Sequence, residues 1–136
     1  MTRICLDSNV LVAAFVARGL CADLLKLVVS EYELVIPEVV AGEVRRVLTT
    51  KLKASQTALS AAEAVLERCE IVPASNLPSP LSLRDPDDER VLADAISADA
   101  EVLVTGDQDL LVVAEASPIR ILSPRAFLTL ARGGTL

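Results

Sequence analysis

Histidine is absent from the 136-residue chain, and aromatic residues make up only 2% of it. Without histidine there is no Ser-His-Asp or Cys-His nucleophile, no imidazole general base and no His-containing zinc site. Any chemistry must rest on carboxylates, hydroxyls, lysine or arginine. Three cysteines, Cys5, Cys21 and Cys69, are odd in number, widely spaced and without a C-x-x-C pair. They read as small buried hydrophobes in a reducing compartment. Apolar residues reach 52% with almost no aromatics, so the core must be Val, Leu, Ile and Ala. No apolar run approaches the roughly 20 residues of a membrane helix. The opening "MTRICLD" lacks a signal-peptide pattern and runs directly into a strand. The expectation is a cytoplasmic protein of one domain over residues 1–136 that is not membrane-bound. That length buries a core without disulfide or metal staples.

The net charge of −6 argues against binding nucleic acid by bulk attraction alone. Its distribution is more informative. Nine acids fall between Asp85 and Asp109, with Arg90 as the only base among them. A segment so acidic is either a solvated face or a cation site.

The pattern of residues alternates strands with helices. "RICL" reads as a buried strand, followed by the capping residues Asp7, Ser8 and Asn9. "VLVAAFVARG" reads as a helix ending at Gly19, and "CADLLKLVVSE" as a second helix. "YELVIP" is a strand, and "PEVVAGEVRRVLTTKL" an amphipathic helix with Val40, Val44, Val47 and Leu48 at helical spacing. A helix "SQTALSAAEAVLERC", a short strand "EIVP" and a Pro/Ser-rich loop follow. Asp85 as N-cap and Pro86 at the first helical position open the helix "DPDDERVLADAISADA". The strand "EVLVTG", the short helix "DQDLLVVAE", the strand "PIRIL" and a helix begun by Ser123 and Pro124 complete the chain. Such alternation implies an α/β fold: a central parallel sheet with helices on both faces, a three-layer α/β/α sandwich. Ligands of such sheets sit outside the carboxyl ends of the strands, where the strand order reverses.

Asp7 follows the first strand, and Asp107 follows the strand "VLVTG", with Asp109 two residues on. If those strands are neighbours, their terminal acids converge. Asp88 shares a helix face with Val91, Leu92 and Ala95 and therefore points inward. Glu43 lies at the margin of the stripe formed by Val39, Val40 and Val47. Burying unpartnered carboxylates costs several kcal/mol or more, and no Lys or Arg lies on the Asp88 stripe. A divalent cation would compensate, and oxygen ligands without His or Cys favour Mg²⁺ or Mn²⁺. Carboxylates holding such an ion hydrolyse phosphodiesters.

Each acid also has a simpler reading. Asp7 or Ser8, Asp107 and Asp85 suit helix caps. Asp87 and Glu89 suit a first helical turn. Asp94, Asp99 and Glu101 suit solvated surface. Glu43 can pair with Arg46 at i+3. The functional reading rests on the set: two acids at strand ends and two on inward helix faces.

With the stretches "LDSNVLVAA" (6–14), "EVVAGEVRRVL" (38–48), "DPDDERVLADA" (85–95) and "VTGDQDLL" (104–111), the chain resembles the PIN-domain ribonucleases. The likeness is greatest to the toxins of bacterial and archaeal toxin–antitoxin pairs. It implies an endoribonuclease using Mg²⁺ or Mn²⁺, with an RNA substrate, an antitoxin partner and a homodimeric state. Carried over by position, the site acids are Asp7, Glu43, Asp88 and Asp107, with Asp109 as accessory ligand. Asp85 and Asp87 are competing choices for the third acid. Ser8, Asn9 and Thr105 match supporting positions. Arg45, Arg46, Lys51 and Lys53 form a basic stretch that can track an RNA backbone or be a solvated helix end. Two other readings compete. In an aspartyl-nucleophile phosphohydrolase Asp7 would attack phosphorus, although its i+2 partner is Asn9 rather than Asp. A receiver-like domain would bind Mg²⁺ without catalysis, but it wants paired acids after its first strand.

Overall fold

The computed structural model describes residues 1–136. Its centre is a five-stranded, wholly parallel sheet in the order β3-β2-β1-β4-β5. The strands are β1 (Arg3–Leu6), β2 (Glu33–Pro37), β3 (Glu70–Val72), β4 (Val102–Val104) and β5 (Arg120–Leu122). The chain moves outward from β1 to β3, then crosses back to β4 on the other side of β1. Right-handed crossovers in opposite directions place their helices on opposite faces. Helices α1 (Ser8–Val16), α2 (Leu20–Glu31), α3 (Glu38–Arg46) and α4 (Gln56–Arg68) pack on one another, with α7 (Pro124–Arg132) against α2. Helix α5 (Pro86–Ser97) packs against β2 from the other face. The α/β/α sandwich expected from the alternating pattern is what forms, and no helix is long and apolar enough to cross a membrane.

The core is aliphatic, as the composition requires. Of its buried hydrophobic residues only Phe127 is aromatic, and Tyr32 meets it edge-on at 5.8 Å. Central strands β1 and β4 are buried almost throughout, which is why they read as continuous apolar runs. At the amino-terminal edge of the sheet Arg3 ties three strands together. Its Nη1 donates to Glu33 Oε1 at 2.6 Å and its Nη2 to Glu70 Oε2 at 3.2 Å. Nε and Nη2 both donate to the Ala98 carbonyl at the end of α5, at 2.9 and 2.7 Å.

Several boundaries differ from the sequence expectation. Helix α1 ends at Val16 rather than Gly19, because Ala17 turns extended (φ −145°, ψ 154°) and Gly19, at φ 137°, becomes the N-cap of α2. The long helix expected to Leu52 is α-helical only to Arg46 and widens into a π-helical turn over Val47–Lys51. After Asp107 the helix is a single turn, α6 (Gln108–Leu111), followed by a 3₁₀ turn at Ala114–Ala116.

Asp94 is the clearest departure. Expected at the surface, its side chain is fully buried. The Pro/Ser-rich loop folds over that flank of α5, and Ser75 N donates to Asp94 Oδ1 at 3.0 Å. Arg90 Nε donates to the same oxygen at 3.1 Å, and Arg90 Nη2 reaches Ser75 Oγ and the Leu77 carbonyl at 2.9 and 2.8 Å. One arginine thus fastens the loop to the helix. Asp94 Oδ2 has no partner.

Removing the arginine strands a buried charge, whereas removing the carboxylate leaves a half-buried arginine that water can reach. We expect Arg90→Met to lower unfolding free energy by about 3 kcal/mol and Asp94→Asn by less than half as much, read from urea unfolding. Equal losses would show that the pair does not carry this load.

Candidate metal centre at the β1–β4 crevice

The strand order reverses between β1 and β4, so the crevice at their carboxyl ends is where a ligand site is expected. Leu6 is in register with Val104. The ladder continues one step further: Asp7 N donates to the Val104 carbonyl at 2.9 Å and Thr105 N to the Leu122 carbonyl at 3.0 Å. Asp7 and Thr105 therefore emerge side by side. Thr105 Oγ1 donates to Asp7 Oδ2 at 2.7 Å and accepts from Asp107 N at 3.0 Å. Asn9 bridges the same two strand ends. Its Nδ2 donates to Asp7 Oδ2 at 3.2 Å, and its Oδ1 accepts from Gly106 N at 2.9 Å. A Cβ at position 106 would come within 3.2 Å of Asn9 Oδ1, so glycine lets the loop approach.

The capping readings also hold. Asp7 Oδ1 accepts from Ser8 N at 2.8 Å, Asp107 Oδ1 from Asp109 N at 2.9 Å, and Asp85 Oδ1 from Asp87 N at 2.9 Å. Capping fixes the side chains without removing their charge. Both oxygens of Asp7 are occupied by internal donors and the residue is 5% exposed. That arrangement does not present Asp7 for attack on phosphorus, which speaks against the aspartyl-nucleophile reading.

Helix α5 begins at the same edge. Of Asp85, Asp87 and Asp88, only Asp88 is buried, and its Oδ2 has no hydrogen-bond partner. One carboxylate oxygen each of Asp88, Asp107 and Asp109 lie within 4.8 Å of one another. Asp7 and Glu43 stand outside that tight group. Both line the surrounding cleft, of about 590 Å³, together with Asp85, Asp87, Asp88 and Asp107. No lysine or arginine lines it. Glu43, expected on an inward helix face, is instead exposed on the wall formed by α3, where only Val40, Ala41 and Val44 turn inward, and it makes no ion pair with Arg46. The oxygen-only donor set and the orphaned Asp88 oxygen fit a hard divalent cation such as Mg²⁺ or Mn²⁺.

Electrostatics follow the crowding. Burial is the largest cause that pushes the Asp88 carboxyl up to about 7, and the neighbouring Asp107 carboxyl, then Asp85 and Asp7, add to it. Burial also raises Asp7, against the bonds from Thr105 and Ser8 N, and the charges of Glu43 and Asp107 push the same way.

The basic stretch divides. Arg45 turns away to α4, where it pairs with Glu63 at 2.8 Å, so it is already engaged. Arg46 lies beside Glu43 and Asp87 in a smaller recess, and Lys53 lines a different one. Sequence reasoning missed the apolar wall of the cleft, Val12, Val16, Val47 and Leu52. Those residues follow helical spacing and carry no signal that separates a cleft wall from a core.

A family model described as PIN domain matches residues 3–109. Solved structures share the fold, two of them as follows. The crystal structure of VapBC2 from Rickettsia felis, bound to a DNA fragment from their promoter, aligns with a TM-score of 0.62 at 19% identity. That alignment covers 89% of this chain and 97% of the other. PAE2754 from Pyrobaculum aerophilum aligns with a TM-score of 0.63 at 19% identity, over 99% of this chain and 91% of the other. No match is found among curated proteins.

The crowding sets a pH dependence. Below about pH 4 Asp88 is protonated in folded and unfolded chains alike. Between there and its folded value of about 7, the unfolded chain releases the proton while the folded chain keeps it, so stability falls as pH rises. The raised Asp7 works in the same direction. We expect the melting temperature of the metal-free protein to drop from pH 5 to pH 8. Asp88→Asn should remove much of that drop and raise the pH 8 value by a few degrees, the shift that roughly 1 kcal/mol produces in a chain of this size. A variant that melts lower than the parent at pH 8 would contradict the electrostatic reading.

Proposed function

Since this chain belongs to the PIN-domain family, we propose that it is a divalent-metal-dependent endoribonuclease. We propose further that it acts in the cytoplasm as the toxin of a toxin–antitoxin pair, as a homodimer held in check by a cognate antitoxin. The observation that carries the reading is the convergence of Asp88, Asp107 and Asp109 at the β1–β4 crevice, with a buried, unpartnered Asp88 oxygen and no basic side chain to answer it.

Asp88 and Asp107, with Asp109, would hold Mg²⁺ or Mn²⁺, and Asp7 and Glu43 would contribute directly or through water. When bound, such an ion screens the phosphate, lowers the pKa of an attacking water and stabilises the leaving oxygen. The chain's own residues do the rest. Thr105 and Asn9 hold Asp7 at a fixed angle and tie the two strand ends into one platform. Thr105 also fixes the backbone of Asp107. With no histidine in the chain and no lysine lining the cleft, a cleft carboxylate accepts the proton of the attacking water. The reaction is an in-line hydrolysis without a covalent intermediate.

The test is cleavage of single-stranded RNA by the purified chain, refolded from denaturant to strip any bound partner, with Mn²⁺, Mg²⁺ or EDTA. We expect cleavage with either ion and none with EDTA. Thr105→Val should lower activity roughly 10–100-fold, the usual cost of losing a group that orients a ligand, and Asp107→Asn by more. Activity that persists in EDTA, or is undiminished in Asp107→Asn, would refute the proposal.

A further inference from the structure

The acidic cleft does not end at its acids. A second recess of about 450 Å³ adjoins it, lined by Phe15, Val16, Leu52, Lys53, Ala54 and Ala58 among others. Val16 and Leu52 line both spaces and form the rim between them. Both are exposed, at 45% and 50%. A carboxylate metal centre has no need of such a rim. Tyr32 and Phe127 pack on each other, and Phe15, half-buried and packed in part against the core, is the one aromatic residue that lines this groove.

Lys53 closes the recess in a costly conformation. The π-helical turn ends with Leu52 N bonded to the Val47 carbonyl at 2.9 Å and Ala54 N to the Leu48 carbonyl at 2.8 Å. That closure requires a left-handed residue between them, and Lys53 supplies it at φ 47°. Glycine would adopt this geometry without strain. The chain places an exposed lysine there instead, and no acid pairs with it. Arg46, also without an ion pair, lines another recess with Glu43 and Asp87, two acids that line the cleft as well. Across the surface the order is therefore cation, acids, apolar groove with an aromatic ring, cation.

We propose that the groove of Phe15, Val16 and Leu52 is a nucleobase subsite. It takes the base of a nucleotide next to the scissile phosphate of single-stranded RNA, and Lys53 meets the adjoining backbone phosphate. The inference rests on the endoribonuclease reading above. An aromatic residue in a groove wall that also carries a cation suits an unpaired base and its phosphate, because stacking accepts any base and the charge follows the backbone. Paired bases in a duplex expose only their edges and cannot enter. Arg46, beside the acids, and Lys53, beside the apolar groove, suit a strand that crosses the cleft with a phosphate at each. This arrangement also answers the net negative charge of the chain, since attraction is needed at those two points only.

The experiment uses the full chain with Mn²⁺ and single-stranded RNA oligonucleotides carrying one abasic nucleotide, stepped through each position around the cleavage site. In the parent protein an abasic residue at one flanking position should lower kcat/KM roughly tenfold, as loss of one stacked base does. Phe15→Leu keeps the apolar volume and should lower kcat/KM on the intact RNA to a similar extent, with no further loss from the abasic nucleotide. Lys53→Gly should melt no lower than the parent, because its strain is relieved, yet show a raised KM with a weaker salt dependence. If the parent cleaves RNA but is indifferent to abasic residues everywhere, or the two losses add fully, the subsite is wrong while the nuclease reading stands. If Phe15→Leu weakens only the capture of a cationic amphipathic peptide and leaves cleavage unchanged, the groove is a protein-docking face and the proposal fails. If the parent cleaves no RNA, both readings fall.

Discussion

Mutual repulsion among carboxylates at one end of a parallel sheet is the constraint around which this molecule is arranged. The reversal of strand order between β1 and β4 brings Asp7 and Asp107 to one crevice, and α5 starts there with Asp88 on its inward face. Elsewhere four acids are answered by arginine. Arg3 answers Glu33 and Glu70 at the far edge of the sheet, Arg45 answers Glu63, and Arg90 answers Asp94. At the crevice only neutral donors remain: the Thr105 hydroxyl, the Asn9 amide and backbone N–H groups. Such donors orient charge and offset part of its desolvation, but they do not cancel it. The deficit is what a divalent cation would make good.

The local chemistry of the site is economical, because single residues serve structure and site together. Asp7, Asp85 and Asp107 each cap a helix, and the cap bond holds each carboxylate at the crevice. Thr105 extends the sheet through its backbone and joins Asp7 to Asp107 through its hydroxyl. A cap and a ligand are thus not rival explanations of the same aspartate here.

Much of this could be read from the chain because the decisive features are periodic or lie at element ends. Buried runs that stop on Asp7 and Thr105 mark strand ends, and the position of Asp88 relative to Val91, Leu92 and Ala95 follows from helical geometry alone. What escaped was set by packing between distant segments. Asp94 lies on a flank of α5 that an irregular loop covers, and a loop without periodicity leaves no trace of where it will fold. The partner of Arg45 lies on the next helix, so its engagement is invisible to spacing within α3. The widening at Val47–Lys51 preserves an apolar pattern while altering which residues face the cleft.

The crevice carboxylates would thus form a cation site and not merely a cluster of caps. Crystals grown with Mn²⁺ and measured for anomalous scattering test it directly. A strong peak bonded to the carboxylates of Asp88 and Asp107 is expected. Peaks confined to scattered surface acids, or the Asp88 and Asp107 oxygens satisfied by a protein cation instead, would contradict it.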